Sequence, residues 1–138
     1  MANRLELEFR GLEELMQRID ASGGSMKEAA DEALLEAKRA VTPGIQREIA
    51  KHRRTGKTEA SLDEDMTVSW VGFEASVDIG FHVRQGGLPS IFLMYGTPRV
   101  KPDRALYNSI YGNSAREAIY KAEEKALHKY LEKVVGGN

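Results

Sequence analysis

The sequence predicts an α+β fold, in which a small antiparallel sheet of about three or four strands packs against two long helices. Apolar side chains recur at helical spacing in residues 26–51 and again in residues 114–134. Between these two segments, residues 66–81 alternate apolar and polar side chains with the period of two that half-buried strands show. The sheet therefore has a central hairpin, flanked in sequence by a long helix in the N-terminal half and a C-terminal helix.

The first part of the chain predicts one strand and one helix. Apolar side chains at positions 5, 7 and 9 alternate with glutamates, as in a half-buried strand. Residues 12–19 then repeat apolar side chains at helical spacing, and Gly23-Gly24 ends that helix.

The long helix is predicted to begin in a capping box. Ser25 and Glu28 have the Ser-x-x-Glu spacing in which each side chain pairs with a backbone N–H at the helix start. The helical stripe then continues to about Lys51. Proline lacks an N–H and clashes with the preceding turn. Two outcomes are therefore open: the helix kinks at Pro43, or it stops and Thr42 caps a second helix.

The middle of the chain predicts strands. The apolar positions are even in residues 66–70 and odd in residues 73–81, so a tight turn at Val71-Gly72 is expected to join the two strands of the hairpin. The apolar run at residues 91–95 predicts a third central strand. Residues 82–90 contain two glycines and a proline, and they predict a mobile connection.

Two further helices are predicted near the C-terminus. Asp103 is placed to cap a short helix that runs to Ile110, and Ser114 with Glu117 forms a second capping box. The last helix is expected to stop at Gly136-Gly137. Its predicted buried face comprises Ala118, Ile119, Ala122, Ala126, Tyr130, Leu131 and Val134.

Length and composition predict one soluble domain without a cofactor. We expect a single domain over residues 1–138, with a strand and helix at 1–24 and a core at 25–135. The chain has 20 basic and 21 acidic residues and no cysteine, which excludes disulfides and thiolate metal sites. Its three histidines lack the spacing of metal ligands. No apolar run is long enough to cross a bilayer, so no membrane partner is expected.

Gly56-Lys57-Thr58 matches the end of a nucleotide-binding loop, but its context does not. The full motif needs a glycine five positions before Gly56, where this chain has Lys51, and a buried strand before the loop. Here the preceding residues are basic and helical. We therefore interpret the segment as a turn in which Gly56 lets the backbone leave the end of the helix.

Residues 38–57 are locally basic, as in segments that bind the phosphates of nucleic acids. No aromatic side chains are interleaved for base stacking. We therefore favour a solvated helix face, or a surface that meets an acidic neighbouring subunit.

No enzyme signature is present. Asp63-Glu64-Asp65 are interpreted as carboxylates of an exposed loop that aid solubility, and Ser61 and Ser90 have no histidine at a recognisable motif distance. The tyrosines are better candidates for association, since they are favoured at protein interfaces. They are Tyr95, Tyr107, Tyr111, Tyr120 and Tyr130.

The order of several short motifs suggests a family. An alanine-rich helix is followed by Thr55-Gly56 and Ser61-Leu62, by the strand Val77 to Phe81, and by the segment Phe92 to Thr97. A proline-containing stretch and a C-terminal helix follow. This order resembles the tail-component, or head–tail joining, family of bacteriophages with long non-contractile tails, which also occurs in prophages. The resemblance covers residues 25–133.

Six residues match the family pattern by position: Thr55, Gly56, Ser61, Tyr95, Gly96 and Thr97. The chain departs from the pattern at Lys57-Thr58, where the family often has a single residue of any type and then an apolar residue. It departs again at Asp103-Arg104-Ala105, where Pro-Phe is often found.

The resemblance implies a structural virion protein rather than an enzyme. Such a protein is made in the bacterial cytoplasm and acts in head–tail joining or tail completion, as a subunit of a ring at the neck or tail top. The implied partners are other copies of the chain, connector or neck proteins, and tail-tube or tail-terminator proteins; contact with DNA is left open. The alternative is a small DNA-binding phage accessory protein that uses residues 38–57.

Two segments, residues 52–65 and 82–90, are predicted to make the subunit contacts, because they are charged or rich in glycine and lie between the main elements. Their candidate contact residues are His52, Arg53, Arg54, Lys57, Arg84, Gln85, Gly86 and Gly87.

Overall fold

The computed structural model describes residues 3–6, 12–53, 56–72 and 74–136. Across these residues the chain forms six α-helices and a three-stranded antiparallel sheet, which confirms the predicted α+β class. In chain order the elements are β1 (Asn3–Glu6), α1 (Glu13–Ala21), α2 (Met26–Ala50), α3 (Lys57–Ala60), β2 (Ser69–Val71), β3 (Glu74–Ile79), α4 (Leu88–Tyr95), α5 (Arg104–Tyr111) and α6 (Asn113–Val135). A short 3₁₀ helix, Val83–Gln85, lies between β3 and α4.

The start of α2 contains the predicted cap in a modified form. Ser25 Oγ accepts a hydrogen bond from the Glu28 N–H at 3.2 Å, as expected. The Glu28 carboxylate, however, accepts from the Tyr130 hydroxyl at 3.0 Å, and that hydroxyl accepts from the Ser25 N–H at 3.0 Å. A side chain of α6 is therefore inserted into the capping box, and it joins the start of α2 to the end of α6.

The helix α2 continues through Pro43, so of the two outcomes left open by the sequence, termination is excluded. Thr42 does not cap a second helix. Its Oγ1 is buried and has no hydrogen-bond partner among the described residues. The helix persists because its apolar stripe is buried on both sides of the proline, at Ala37, Val41 and Ile45.

The last helix, α6, begins differently from the prediction. Its N-cap is Gly112, which has no side chain to make a cap, so the predicted capping box at Ser114 is wrong. A Cβ at Gly112 would lie 2.6 Å from the Asn108 carbonyl oxygen, so the tight connection to α5 fixes where α6 starts. The helix ends at Val135 with Gly136 as its C-cap.

The predicted face of α6 is only partly the buried one. Three of its seven residues are buried and four are half-buried. The fully buried Leu127 lies beside this face and was not predicted. The buried residues of α6 are Ala115, Glu123, Ala126, Leu127, Tyr130 and Leu131.

The sheet has the strand order β1-β3-β2, and both pairings are antiparallel. The central strand confirms the predicted alternation, since Val77 and Ile79 are buried and Phe81 just beyond them is buried as well. The first strand of the predicted hairpin is shorter than expected and begins only at Ser69. The predicted apolar positions 7 and 9 of the first strand, and position 73 of the hairpin, lie outside the described residues.

The predicted third strand at residues 91–95 is wrong, because these residues belong to the helix α4. Pro89 in the first turn favours a helix start, since its fixed φ is already helical. Ser90 and Met94, one helical turn apart, are buried, while Phe92 is 50 % exposed. The predicted mobile connection at 82–90 is instead the 3₁₀ helix followed by the first turn of α4.

Two hydrophobic cores lie one after the other along α2 and α6. The first core joins α1, the beginning of α2 and the end of α6, around Ile19, Ala33 and Leu127. The second core joins the end of α2 to the sheet, α4, α5 and the beginning of α6, around Ile45 and Leu106. The two long helices are therefore antiparallel, and each contributes to both cores. No helix in the described ranges is long and apolar enough to cross a membrane.

Candidate functional site

The two predicted contact segments lie side by side. The His82 N–H donates a hydrogen bond to the Ser61 carbonyl oxygen at 2.8 Å, and Leu62 forms a β-bridge with Phe81. Both apolar side chains of that bridge are buried in the second core. These contacts hold the end of the first segment against the start of the second, although about twenty residues of sequence separate the bonded positions.

The glycines of the second segment make this close approach possible. Gly87 is buried, and a Cβ there would lie 2.6 Å from the His82 carbonyl oxygen and 2.9 Å from Ser61 Oγ. Gly86 has a φ of 101°, and a Cβ there would lie 3.2 Å from the Lys57 carbonyl oxygen. Gly87, predicted to contact a neighbouring subunit, thus packs inside its own subunit.

A cleft of ≈ 510 Å³ opens beside these segments, between the end of α2, the single turn α3, α4 and the turn at residues 97–103. It has apolar walls and a charged rim. Phe92 and Val100 are 50 % and 46 % exposed, which leaves much of their apolar surface in contact with water. The lining residues are Ile49, Lys51, His52, Arg53, Gly56, Thr58, Glu59, Pro89, Phe92, Leu93 and Val100.

Two side chains at the rim of the cleft, Arg53 and His52, each contact a carboxylate. Arg53 Nε lies 2.5 Å from Glu59 Oε2, and the hydrogen bond from the guanidinium lowers the pKa of the Glu59 carboxyl. His52 Nε2 lies 2.5 Å from Asp103 Oδ2. Burial alone would raise the pKa of Asp103, but hydrogen bonds from His52 and from the Leu106 N–H outweigh it, so this pKa is lowered. Both carboxylates are therefore ionised at neutral pH.

The exposed face of α4 extends the apolar surface away from the cleft. Leu88, Phe92 and Tyr95 follow one another at helical spacing and are 48 %, 50 % and 58 % exposed. The Tyr95 ring packs edge-on against Tyr107 at 5.7 Å, and Tyr107 lies 5.0 Å from Tyr111. Of the five tyrosines predicted for association, three thus form one cluster at the surface of the chain.

The other two tyrosines are separate from this cluster. Tyr120 is 39 % exposed on α6, whereas Tyr130 is buried in the first core. Tyr130 therefore has a structural role, in the modified cap of α2.

Two of the family-motif residues begin and end α3. Gly56 has a φ of 80° at the start of the helix, as the turn interpretation required. Ser61 is buried at its end, where its hydroxyl donates to the Thr58 carbonyl oxygen at 2.6 Å. Thr55 lies outside the described residues.

The other motif residues form the turn that follows α4. Gly96 has a φ of 77°, and a Cβ there would lie 2.8 Å from Pro102 Cδ. Thr97 Oγ1 accepts a hydrogen bond from the Val100 N–H at 3.1 Å. Of the described motif residues, Gly56 lines the cleft, and Gly96 and Thr97 form the turn that holds Val100, which lines it as well.

The candidate contact residues are mostly on the surface. His52, Arg53, Lys57, Arg84, Gln85 and Gly86 are exposed, Gly87 is buried, and Arg54 lies outside the described residues.

The prediction that Asp63, Glu64 and Asp65 are exposed loop carboxylates is wrong for Asp63, which is buried in an ion pair, whereas Glu64 and Asp65 are exposed. Lys38 Nζ lies 2.9 Å from Asp63 Oδ1, and these side chains are 1 % and 3 % exposed. Lys38 also donates to the Asp65 carbonyl oxygen at 2.6 Å, and His82 Nε2 lies 3.3 Å from Asp63 Oδ2. The pair joins α2 to the segment before the hairpin, directly behind the surface described above.

The sequence held a signal for this buried lysine. Lys38 falls between Leu34 and Val41 on the apolar stripe of α2, where a charged side chain must be paired to be tolerated. The local excess of basic residues at 38–57 predicts a surface position for Lys38, but its place in the apolar stripe decides its burial.

The basic segment is much less cationic than its sequence suggests. Besides the buried Lys38, Arg39 pairs with Glu36 and Lys51 pairs with Glu48, while Arg53 pairs with Glu59. Within the part of the chain that the structure describes, no group of three or more His, Asp or Glu side chains is arranged to hold a metal ion.

Comparisons of the chain with protein-family models, curated proteins and solved structures give no significant match. The surface around the cleft consists of an apolar groove, an exposed apolar helix face and a charged rim. Such a surface is suited to binding another macromolecule, since exposed apolar side chains with a polar rim are typical of protein interfaces.

Proposed function

We propose that this chain is a structural virion protein of a tailed bacteriophage or prophage. It acts in head–tail joining or tail completion, as a subunit of a ring at the neck or at the top of the tail. Its partners are other copies of itself and the adjoining connector, neck, tail-tube or tail-terminator proteins. The proposal starts from the order of motifs in the sequence.

The observation that supports it best is a cleft lined by residues of both predicted contact segments. His52, Arg53, Gly56, Thr58 and Glu59 of the first segment and Pro89 of the second line it. The same cleft combines the exposed apolar side chains of Phe92 and Val100 with the Arg53–Glu59 ion pair. A ring subunit needs such a surface, because each copy must present a patch that a neighbour can cover. Gly56 lines this cleft, and Gly96 and Thr97 form the turn that holds Val100 in its wall, which supports the same role for these motif residues.

The DNA-binding alternative has less support. It depends on the charges of residues 38–57, and four of these charges are paired with carboxylates of the same chain. A cation already paired releases fewer counterions when it meets a phosphate, so the salt-dependent part of binding is weakened.

The test is to delete the gene from a phage or inducible prophage that encodes the chain. We expect filled heads and tails to accumulate unjoined in electron micrographs, and infectivity to return when the wild-type chain is supplied. The chain should also be detected in purified particles by mass spectrometry. Neighbouring genes for portal, capsid and tail-tube proteins would add support.

The contact surface is tested by point substitutions. Deleting residues 84–89 would remove the first turn of α4, so a milder change is needed. Arg84→Glu with Gln85→Ala changes two exposed side chains of the 3₁₀ helix, and we expect it to fail to restore joining. Lys121→Glu, on an exposed part of α6, is the matched control and should restore it. Infectious particles that form without the chain would refute the proposed function.

A further inference from the structure

We propose that the end of the molecule that holds the cleft binds the opposite end of a second copy, in a head-to-tail contact. This inference rests on the proposed role as an assembling subunit and names the two surfaces that would meet. It follows from how charge and exposed apolar side chains are distributed between the two ends.

The charges of this nearly neutral chain are unevenly distributed along its length. Residues 47–65 and 82–104, whose described members include those that line the cleft from the end of α2, α3 and α4, contain nine basic and six acidic side chains. Residues 12–36 and 126–135, which form α1, the beginning of α2 and the end of α6, contain eight acidic and four basic side chains. We call these regions the basic end and the acidic end.

The helix α2 separates the two ends in space. It has 25 residues and is therefore about 37 Å long at 1.5 Å per residue. Its first turns lie in the acidic end, and its last residues, with Ile49 and Lys51, line the cleft. The ends therefore point in opposite directions on one subunit.

Both ends also expose apolar side chains. At the basic end these are Phe92 and Val100, which line the cleft, and Leu88 and Tyr95 beside it. At the acidic end Met26 is 44 % exposed. Val71, at the hairpin tip, is 76 % exposed, and its neighbour Trp70 donates its indole N–H to Asp31 of α2 at 2.7 Å.

The second copy is favoured as the occupant because the chain supplies both halves of the contact. An acidic surface with protruding apolar side chains complements a basic cleft with apolar walls, in charge and in shape. Cleft-to-cleft pairing would bring two positive ends together and is disfavoured. The contact is therefore heterologous, and repeated around a rotation axis it closes a ring.

The decisive experiment reverses the charge of one end at a time. The first variant carries Arg99→Glu and Lys101→Glu at the basic end, and the second carries Glu14→Lys and Glu32→Lys at the acidic end. All four side chains are exposed. Association is followed by sedimentation velocity at low salt over a range of concentrations, with circular dichroism to verify folding.

We expect the wild-type protein to associate with increasing concentration and to dissociate in high salt, because salt screens exposed charges. Each variant alone should associate at least roughly tenfold more weakly, since like charges now face each other. An equimolar mixture of the two variants should associate again, because the reversed ends complement one another. The matched control, Lys121→Glu with Lys125→Glu midway along α6, should behave as the wild type.

A cross-linking measurement does not depend on the strength of association. The chain has no cysteine, so a single introduced thiol reacts only at its own position. Phe92→Cys mixed with Met26→Cys or with Val71→Cys should give intermolecular disulfides faster than Phe92→Cys mixed with Lys121→Cys. A disulfide forms only where the two Cα atoms approach within about 7 Å.

Several outcomes would overturn the inference. They are a wild-type protein that stays monomeric at low salt up to its solubility limit, variant mixtures that do not associate, and Phe92→Cys chains that cross-link fastest with themselves. Binding of a random-sequence DNA duplex that is lost only in the basic-end variant, without self-association, would assign the basic end to nucleic acid instead. If the copies associate as expected but the chain is absent from phage particles, the proposed function fails and the head-to-tail contact stands.

Discussion

At the scale of single residues, the buried ion pair between Lys38 and Asp63 is the most consequential feature behind the cleft. Both charges are almost completely removed from water, and the 2.9 Å contact joins α2 to the segment before the hairpin. Removing one partner of such a pair leaves the other charge buried without compensation. We therefore expect Lys38→Met to lower the free energy of unfolding by about 3–5 kcal/mol in urea titrations.

Two further variants make that prediction specific. Lys38→Met combined with Asp63→Leu removes both charges and should be more stable than Lys38→Met alone. Arg39→Met, one position along, removes a cation from an exposed pair with Glu36 and should change the free energy by less than about 1 kcal/mol. Equal losses of unfolding free energy in Lys38→Met and Arg39→Met would show that the buried pair stabilises the protein no more than the exposed pair does.

The Tyr130 hydroxyl gives a second prediction at this scale. Tyr130→Phe removes the acceptor of the Ser25 N–H and the donor to Glu28, and we expect a loss of about 1–3 kcal/mol near neutral pH. The Ser25 N–H favours the phenolate, but burial and the Glu28 carboxylate outweigh it, so the pKa of Tyr130 is raised above its ordinary 10.0.

The sign of the resulting pH dependence follows from that shift. A raised pKa in the folded state means that the contribution of Tyr130 is fully present below pH 10 and is lost as the pH rises through the folded value. The stability advantage of the wild type over Tyr130→Phe should therefore shrink above pH 10, as measured by urea unfolding at several pH values. An advantage that grew with alkaline pH would contradict the assigned hydrogen bonds.

At the scale of elements, the main difference between prediction and structure is α4. A run of five apolar residues is as compatible with a buried strand as with a buried helix, because its composition carries no period. What decides is the tertiary context: Ser90 and Met94 face the second core one turn apart, and the 3₁₀ helix brings the chain back against α3. These contacts involve residues that are distant in sequence, so no local pattern could reveal them.

The close approach of α4 to α3 gives a test with a matched control. Gly87→Ala would place a methyl group 2.6 Å from the His82 carbonyl oxygen, so we expect a loss of about 1–3 kcal/mol or more in chemical unfolding. Gly44→Ala lies in α2, where the nearest atom would be Arg47 Nη2 at 3.7 Å. It should stabilise the protein by about 0.5–1 kcal/mol, because alanine loses less conformational entropy in a helix. A neutral Gly87→Ala would show that the two segments can separate without cost.

The position of the two candidate contact segments between the main elements follows from the sequence, but the contacts between them do not. Residues 52–65 and 82–90 are charged or rich in glycine, which predicts connecting segments. In the structure Ser61 and His82 join these segments, and Leu62 and Gly87 are buried. The walls of the cleft were not predicted, since Phe92 was assigned to a buried strand and Val100 to no element. Likewise, the close packing of Gly112 on Asn108 places the start of α6 at Asn113. This tertiary contact outweighs the local capping pattern at Ser114.

At the scale of the whole molecule, the two cores could unfold separately or together. The first core lies at the acidic end and the second at the basic end, beside the cleft. Both are built on the same two antiparallel helices, and α2 continues through Pro43 between them. Loss of either core would therefore leave half of α2 and half of α6 without a partner, and we expect one cooperative transition.

This cooperativity has a direct test, because the protein contains one tryptophan. Trp70 reports on the contact between β2 and α2, whereas far-UV circular dichroism reports mainly on the helices. Leu127→Ala in the first core and Leu106→Ala in the second should each lower the free energy of unfolding by about 2–5 kcal/mol, since both side chains are fully buried. In both variants the fluorescence and dichroism transitions should coincide. Transitions that separate in either variant would mean that one core stays folded when the other unfolds.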